Sequence, residues 1–370
     1  MRAMLQLPRL MLDFGALRAL PDELSQLGVR KPILVSDAGL VACGVVTRVR
    51  DAARGILDVF DQVTENPVFA DCDAIVSAYV AGGCDGIVAL GGDSVIDAAK
   101  LAAVVAGHGG HAADFAGHSD RITSRVVPLV VIPTTAGTGS EASSGAGVHP
   151  NPTSRSMGIN SPFVIPRVAL CDPELTMTLP PSLTAATGID ALTHCIEGYL
   201  ATTPSPPVDA MALDGIRRIC AHLERAVQDG TNRQARWELM LGAFEGGASI
   251  SKGLGPAHAV AIACGDQGVH HGKLSAIGLV ACLDAVPPEC ASRLADIAAS
   301  MRLAPNETVR AGLLKLMSRL NLPTTLSAAG YRVADLDDIA ANAAGSHFNA
   351  TSPYRPSADQ YRTLIAAVAG

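Results

Sequence analysis

The 370-residue sequence predicts two domains, an α/β domain with a parallel sheet followed by an all-helical domain. In the first half, continuous apolar runs alternate with helix-like runs, which is typical of a parallel sheet covered on both faces. After the segment TLPPSL at 178–183 the strand-like runs stop, and Ala- and Leu-rich helical periodicity continues to the end. We therefore expect the first domain to span residues 1–177 and the second to span residues 178–370.

The elements of the first domain follow from its apolar runs. Buried strands are expected within residues 32–37, 57–63, 86–92, 126–135 and 167–173, and helices at 68–83 and 94–107. In the second domain, the segment GIDALTHCIEGYL at 188–200 has the spacing of an amphipathic helix.

Composition limits the partners that the protein can have. Hydrophobic residues make up 48% of the chain and charged residues 17%, and the net charge is −7 without a basic run, so nucleic acid and anionic membranes are not expected. The longest apolar windows are too short to span a bilayer, and the N-terminal segment has no signal-peptide pattern. Nine scattered cysteines without a CxxC motif indicate reduced thiols and a cytoplasmic protein. The apolar helical surface is compatible with a homodimer.

The segment GIVALGGDSVIDAAK combines a strand, a tight glycine turn and a helix. Ser94 is a candidate N-cap, with Asp97 three residues later in the position of a capping box. Gly91 and Gly92 would let a ligand approach the backbone, and the helix N-terminus would suit a phosphate group. An ordinary βα turn explains this segment equally well.

A second loop, VVIPTTAGTGSEAS, follows another buried strand and is rich in hydroxyl groups. Thr134, Thr135 and Thr138 would lie at the carboxyl edge of the sheet, where α/β proteins bind ligands. Asp37 follows a third strand, where a carboxylate could bond ribose hydroxyls and repel a 2′-phosphate, favouring NAD over NADP. A plain helix N-cap is an equal alternative for Asp37. Together the two loops predict a dinucleotide-binding domain.

The helical half contains a candidate metal site. Asp190 and His194 are four residues apart on one predicted helix, so both side chains could bind one ion. His258 and the pair His270–His271 follow in a later stretch of small residues. Three imidazoles and one carboxylate suit Fe²⁺ or Zn²⁺. A histidine on an apolar helix is more often a core residue, but a buried carboxylate without a partner is costly, which favours a nearby cation.

Four motifs together resemble the iron-containing (group III, metal-dependent) alcohol dehydrogenase family over almost the whole chain. They are GGDSVIDAAK, PTTAGTGSE, DPELTMTLPPSLTAATGIDALTHCIEGYL and the pair AHAVA and HHG. The resemblance implies a dinucleotide-binding α/β domain and a helical metal-binding domain with a cleft between them, as in dehydroquinate synthase-like architecture.

The resemblance also assigns roles to individual residues. The implied metal ligands are Asp190, His194, His258 and His271, with His270 competing for the last position. The implied contacts of the cofactor are the pyrophosphate loop at Gly91, Gly92 and Ser94, the threonines Thr134, Thr135 and Thr138, and Asp37 as the residue associated with NAD preference.

The sequence departs from the family pattern at three places. Ile262 stands where many members have a second histidine, four residues after the third ligand. Asp93 replaces the third glycine of the phosphate loop, and Ser156, beside Arg155, replaces a nucleotide-contacting lysine. These changes affect the expected proton path and cofactor affinity more than the metal site.

The expected activity is hydride transfer between NAD(H) and a small alcohol or aldehyde, with Fe²⁺, or alternatively Zn²⁺, acting on the substrate oxygen. With Ile262 in place of a histidine, the proton is expected to leave through water and the ribose hydroxyls of the cofactor. If a protein base does this work instead, His270 is the candidate for a proton relay. Closely related alternatives are a maleylacetate reductase and a glycerol dehydrogenase. Alternatives of another class are a dehydroquinate synthase-like lyase, disfavoured by the few Lys and Arg residues near the metal motifs, and a nucleotide-binding protein that has lost its activity.

Overall fold

The computed structural model describes residues 5–55 and 57–370. The chain forms two compact units, of which one comprises Gln6–Thr135 and Ser140–Met177. The other contains Thr178–Gly370 together with the short loop Ala136–Gly139. The α/β unit therefore ends at Met177, and the four loop residues Ala136–Gly139 belong to the helical unit.

The α/β unit is built on a six-stranded parallel sheet in the order β1-β8-β5-β4-β2-β3, with a separate antiparallel hairpin of β6 and β7. The strands are β1 (Arg9–Leu12), β2 (Pro32–Val35), β3 (Asp58–Phe60), β4 (Gly86–Gly91), β5 (Leu129–Pro133), β6 (Gly145–Val148), β7 (Met157–Asn160) and β8 (Val168–Cys171). The predicted fold class is confirmed for this unit. Strand β3 was expected to be buried, and this was wrong, because it is an edge strand whose Asp58 and Val59 are exposed.

Helices of the α/β unit are α1 (Leu20–Gln26), α2 (Ala38–Ala42), α3 (Val45–Ala52), α4 (Phe69–Gly82) and α5 (Asp93–His108). Helices α4 and α5 match the two predicted helices within a residue at each end. The four central strands are apolar and buried along their whole length, as a sheet covered on both faces requires. Helix α5 buries Ala98 to Val105 without interruption.

The strand order reverses between β2 and β4. The chain runs from β2 outward to β3, then returns to β4 and continues in the opposite direction to β5 and β8. In open α/β sheets this reversal leaves a crevice at the carboxyl ends of the two strands, where ligands bind. The loops after β2 and β4 therefore border the crevice of this sheet.

The helical unit comprises α6 (Pro181–Leu200), α7 (Pro206–Gln228), α8 (Arg233–Ser249), α9 (Pro256–Ala263), α10 (His271–Cys282), α11 (Ala291–Ser300), α12 (Val309–Arg319), α13 (Leu336–Ala344) and α14 (Ala358–Ala366). Helix α6 is central, and every residue from Thr184 to Leu200 is buried. It packs against α7, α8 and α10. A helix buried on all sides explains why its segment 188–200 is apolar beyond one stripe.

Glycines permit the close approach of these helices. A Cβ on Gly272 of α10 would lie 2.1 Å from the carbonyl oxygen of Ala186 in α6. A Cβ on Gly278 of α10 would lie 2.4 Å from the carbonyl oxygen of Ala257 in α9. Helix α10 is thus held against both α6 and α9 at distances that no larger residue would allow.

Among residues 5–55 and 57–370, no single helix has the length and apolar composition needed to cross a membrane. A bent pair, His271–Ala285 with Pro288–Ser300, meets those two criteria only when its two parts are taken together across an angle of 107°.

Candidate metal centre and nucleotide site

Asp190 and His194 lie one helical turn apart on α6, and their relative exposures are 1% and 4%. A carboxylate buried to this degree in an apolar helix bundle needs a compensating partner. The partners come from α9 and α10, which contribute His258 and His271.

Three of the four predicted ligands come together. One ligand atom from each of Asp190, His258 and His271 lies within 4.8 Å of the others. His194 lies beside this group, with its ring stacked on that of His258 at a centroid distance of 4.6 Å. The separation between the rings of His258 and His271 is 5.6 Å. The structure thus gathers one carboxylate and three imidazoles from three helices.

Two buried side chains outside this group bond to it. The hydroxyl of Ser275 donates a hydrogen bond to Oδ1 of Asp190 at 2.6 Å. The ring Nδ1 of His258 lies 2.6 Å from Oε2 of Glu197. Ser275 is fully buried and Glu197 is 5% exposed. These bonds restrict the orientation of one carboxylate and one imidazole.

Two ring nitrogens of the group have no hydrogen-bond partner and are suited to bind a metal ion. Nε2 of His258 and Nδ1 of His194 are buried and have no hydrogen-bond partner. Buried polar atoms are rarely unpaired, because an unmade hydrogen bond costs about 1–3 kcal/mol. A set of imidazole nitrogens with a carboxylate suits Fe²⁺ or Zn²⁺. The residues present therefore fit a divalent ion.

The protonation states of Asp190 and His194 also suit a cation. Burial raises the pKa of Asp190, but the nearby histidines His194, His271 and His258 outweigh it and lower this pKa to about 2. Burial lowers the pKa of His194 to about 3, so its ring is neutral near pH 7. A carboxylate and a neutral imidazole are the forms that bind a metal.

The two adjacent histidines have different surroundings. His271 is the first residue of α10 and belongs to the cluster with Asp190 and His258. His270 is the N-cap of α10, where its Nδ1 accepts a hydrogen bond from the amide of Gly272 at 3.1 Å. The geometry therefore brings His271, and not His270, to the metal cluster. Ile262 lies one turn after His258 on α9 and is partly buried.

In the α/β unit, the predicted cofactor residues lie at the ends of neighbouring strands. Asp37 follows β2 and is the N-cap of α2, with its Oδ1 accepting a hydrogen bond from the amide of Leu40 at 2.9 Å. Gly91 ends β4, and Gly92 is the N-cap of α5. Both loops border the crevice where the strand order reverses.

The N-terminus of α5 has no side-chain cap. The expectation that Ser94 caps it was wrong. The N-cap is Gly92, and the Ser94 hydroxyl donates instead to the carbonyl of Glu65. Asp97 does not complete a capping box either, because its Oδ2 accepts a hydrogen bond from the amide of Gly147 at 2.8 Å. The first amides of α5 are therefore available to an anion.

The threonines of the second loop are divided between the two units. Thr134 and Thr135 follow β5, next to β4, and the amide of Thr134 donates to the carbonyl of Gly91 at 3.0 Å. A Cβ on Gly92 would lie 3.6 Å from the side chain of Thr135. Thr138 belongs to Ala136–Gly139 in the helical unit.

Sequence reasoning missed Glu197 and Ser275. Their spacing carried a signal, since Glu197 lies three residues after His194 on α6 and Ser275 lies four residues after His271 on α10. Residues three or four apart on a helix share a face, so both positions face the cluster. Side chains that bond to metal ligands commonly lie in such places.

Comparisons with known proteins agree with this arrangement. Residues 8–173 match the model of iron-containing alcohol dehydrogenases, and residues 184–369 match the C-terminal model of the same family. The chain belongs to the iron-containing alcohol dehydrogenase family. It is accordingly a metal-dependent oxidoreductase of the alcohol dehydrogenase type, and the predicted family and enzyme class are confirmed.

Individual members of the family are similar over nearly the full length. A 4-hydroxybutyrate dehydrogenase of Cupriavidus necator is 40% identical over 368 residues, which cover 96% of each chain. An NAD-dependent methanol dehydrogenase of Bacillus methanolicus is 30% identical over 357 residues, with 91% of each chain covered. The crystal structure of a 1,3-propanediol oxidoreductase superposes with a TM-score of 0.92 at 27% identity, covering 99% of this chain and 100% of that one. The two-domain fold predicted for the family is confirmed.

Proposed function

We propose that the protein interconverts a small alcohol and its aldehyde by transferring a hydride to or from NAD(H), with Fe²⁺ as the resident metal and Zn²⁺ as the alternative. The observation that carries the proposal is the cluster of the buried Asp190 and His258 with the partly buried His271. A divalent ion at such a site supplies Lewis acidity, which stabilises negative charge on a substrate oxygen. Asp190, His194, His258 and His271 would hold it.

Transfer of the proton of the alcohol would depend on the side chains near the metal cluster. Ile262 follows His258 by one turn and offers no proton acceptor, so the proton of the alcohol must leave by another route. His270 is the residue that we propose for this relay. Its Nδ1 accepts the amide hydrogen of Gly272, so the proton of the neutral ring is carried on Nε2. A relay through this ring requires Nδ1 to give up the amide of Gly272 and accept the incoming proton while Nε2 releases its own proton to solvent.

We propose NAD rather than NADP as the cofactor. Gly91, Gly92 and Ser94 would border the pyrophosphate, which the uncapped N-terminus of α5 would bind through its amides. Thr134, Thr135 and Thr138 would contact the nucleotide from the second loop. Asp37 accepts one amide through Oδ1, and its charge would repel a 2′-phosphate. The name of the B. methanolicus relative, an NAD-dependent methanol dehydrogenase, supports this preference.

The similarity to a 4-hydroxybutyrate dehydrogenase extends over 96% of the chain and makes a short hydroxy acid the first substrate to test. Maleylacetate and glycerol represent the related activities that remain as alternatives. A dehydroquinate synthase-like lyase is disfavoured, because it would need free cations to hold an acidic, phosphorylated substrate. Lys252, one of the nearest candidates, is buried and bonded to Asp209 and to the carbonyl of Tyr199.

We further propose a cytoplasmic homodimer that has no nucleic-acid or membrane partner. All nine cysteines are free, and seven of them are buried, which suits a reducing compartment. The net charge of −7 disfavours binding to nucleic acid or anionic lipid.

The decisive experiment loads metal-free enzyme with Fe²⁺ or Zn²⁺ and follows the NADH absorbance with a panel of alcohols, aldehydes, 4-hydroxybutyrate, glycerol and maleylacetate. We expect turnover only with metal, and faster turnover with NAD than with NADP. The variant His194→Ala should lose bound metal and activity together. Retained turnover in metal-free His194→Ala would refute the assignment. A wild-type enzyme that binds NAD without any redox turnover would indicate a nucleotide-binding protein that has lost its activity.

A further inference from the structure

Glu197 is a buried carboxylate that contacts the metal cluster from outside it. It lies on α6 three residues after His194, and it is 5% exposed. Its Oε2 lies 2.6 Å from Nδ1 of His258, and its Oε1 accepts a hydrogen bond from the amide of Ala257 at 2.8 Å. The amide of His258 also approaches Oε2, at 3.3 Å. One carboxylate therefore accepts a side-chain hydrogen and two backbone hydrogens from the first turn of α9.

The contact with Glu197 determines which nitrogen of His258 carries a proton. A carboxylate can only accept, so Nδ1 must be the donor. In the neutral ring, Nε2 then has a free electron pair. This Nε2 is buried without a hydrogen-bond partner and lies 3.9 Å from Oδ1 of Asp190. The pairing thus leaves the unpaired nitrogen on the side of the metal cluster.

Glu197 also orients the helix that carries His258. The N-cap of α9 is Gly255, which provides no side-chain cap, and Pro256 follows it. The amides of Ala257 and His258 would be unsatisfied without Glu197. A Cβ on Gly255 would lie 2.7 Å from Oε1 of Glu197, so the carboxylate fits tightly against the start of the helix. The same side chain therefore orients both the backbone and the ring of His258.

We propose that Glu197 is a positioning residue for the metal, which fixes His258 in its Nδ1-protonated tautomer and presents Nε2 to the ion. The inference rests on the proposed function, because it assumes that the cluster binds a divalent cation. Carboxylates in this relation to a ligand histidine hold the ring and increase its basicity, and their loss commonly weakens metal binding 10- to 100-fold. Glu197 itself does not touch the ion.

The test compares Glu197→Gln with Glu245→Gln. Glutamine keeps the shape of Glu197 but removes its charge and presents an NH₂ group to donors that need an acceptor. Glu245 is a matched control, because it is also a buried glutamate of the helical unit, 7% exposed, and it pairs with Arg218 at 3.6 Å. Both substitutions replace a buried glutamate with its neutral amide, and only Glu197 touches a predicted ligand.

Zinc affinity is measured at one pH by competition with a chromophoric chelator, and metal content is measured after dialysis. We expect Zn²⁺ to bind Glu197→Gln about 10- to 100-fold more weakly than the wild type, while Glu245→Gln stays within about twofold. Equal affinities in the wild type and Glu197→Gln would overturn the inference and leave the proposed function intact. A wild type that binds no Zn²⁺ or Fe²⁺ would instead refute the proposed function.

A second measurement does not depend on the folding of a variant. Long-range ¹H–¹⁵N correlation spectra of the metal-free wild type report the tautomer of each histidine ring. We expect the proton of His258 on Nδ1, and after Zn²⁺ is added we expect the shift of Nε2 to change while Nδ1 stays protonated. A His258 ring protonated on Nε2 and not on Nδ1 in the metal-free enzyme would overturn the inference.

Discussion

Gly272 of α10 lies directly against Ala186 of α6, such that a Cβ on Gly272 would be 2.1 Å from the carbonyl oxygen of Ala186. The same Cβ would be 3.0 Å from the Cβ of Asp190. The contact lies one residue after His271, so the position of this ligand relative to Asp190 depends on the absence of a side chain at residue 272.

Gly272→Ala is expected to displace the first turn of α10 and with it His271. The backbone oxygen of Ala186 belongs to a buried helix and has little freedom to move, so α10 must shift. We expect the free energy of unfolding to fall by about 1–3 kcal/mol and zinc affinity to fall at least tenfold. Urea unfolding and chelator competition measure the two effects.

Gly345→Ala serves as the control, because Gly345 ends α13 with φ −76° and its Cβ would meet nothing closer than 3.5 Å. This variant should keep both stability and zinc affinity. If Gly272→Ala behaved like Gly345→Ala, the close contact of α10 with α6 would not determine the position of His271.

The sequence predicted the centre of each unit better than its periphery. Long apolar strands such as β4 and β5 were found because a sheet buried on both faces requires continuous apolar runs. The β6–β7 hairpin was missed, since its strands GAGV and MGIN contain glycine and no apolar run. Strand β3 was expected to be buried, but its place at the sheet edge depends on strand order, which local patterns do not encode.

In the candidate site, too, local sequence spacing was informative and tertiary contacts were not predictable. Asp190 and His194 are recognisable from their spacing within one helix. His258 and the pair His270–His271 are far away in sequence, and they became candidates because they lie in one stretch of small residues. Only the resemblance to a family selected His271 over His270. Glu197 was hidden because its role depends on where α9 begins relative to α6, which is a tertiary contact.

Asp37→Asn is expected to relax the preference for NAD. Asparagine is as good an N-cap as aspartate, so the bond to the amide of Leu40 and the start of α2 should survive. Only the negative charge that would repel a 2′-phosphate is lost. We expect kcat/KM with NADP to rise about tenfold and kcat/KM with NAD to change little, as measured by initial rates with each cofactor.

Asp58→Asn is the control for the loss of one negative charge, because Asp58 lies on the edge strand β3 of the same sheet. Asp58→Asn should leave the ratio of kcat/KM with NADP to kcat/KM with NAD unchanged. If Asp37→Asn left this ratio unchanged as well, Asp37 would act only as a helix cap.

Lys100→Met is expected to destabilise the α/β unit. The Nζ of Lys100 is fully buried and donates hydrogen bonds to the carbonyls of Ser143 and Gly145 at 2.9 and 2.7 Å. Methionine has a similar volume but removes this donor from both carbonyls, of which that of Gly145 keeps only a hydrogen bond from the Ser143 hydroxyl at 3.3 Å. We expect the free energy of unfolding to decrease by about 2–4 kcal/mol. Lys315→Met removes an exposed lysine of α12 that pairs with Glu307 at 2.8 Å. It should lower the free energy of unfolding by at most about 1 kcal/mol, the upper range for exposed ion pairs.

Glu245 should make the stability of the helical unit depend on pH. Burial, with the nearby charge of Asp214, raises the pKa of Glu245 from 4.5 to about 8. Below about pH 4.5 the carboxyl group of Glu245 is protonated in both the folded and the unfolded chain, so the free energy of unfolding does not change with pH through this group. Between about pH 4.5 and 8 the unfolded chain loses this proton and the folded chain keeps it, so the free energy of unfolding falls as the pH rises.

Glu245→Gln removes this dependence. We therefore expect the stability of the variant relative to the wild type to increase from pH 5 to pH 8.5, by up to about 5 kcal/mol for a pKa raised this far. Urea unfolding of both proteins at several pH values gives this difference, in which the contributions of all other titrating groups cancel. A difference that stays constant with pH, or one that falls, would mean that Glu245 is ionised in the folded protein and that Arg218 compensates its charge.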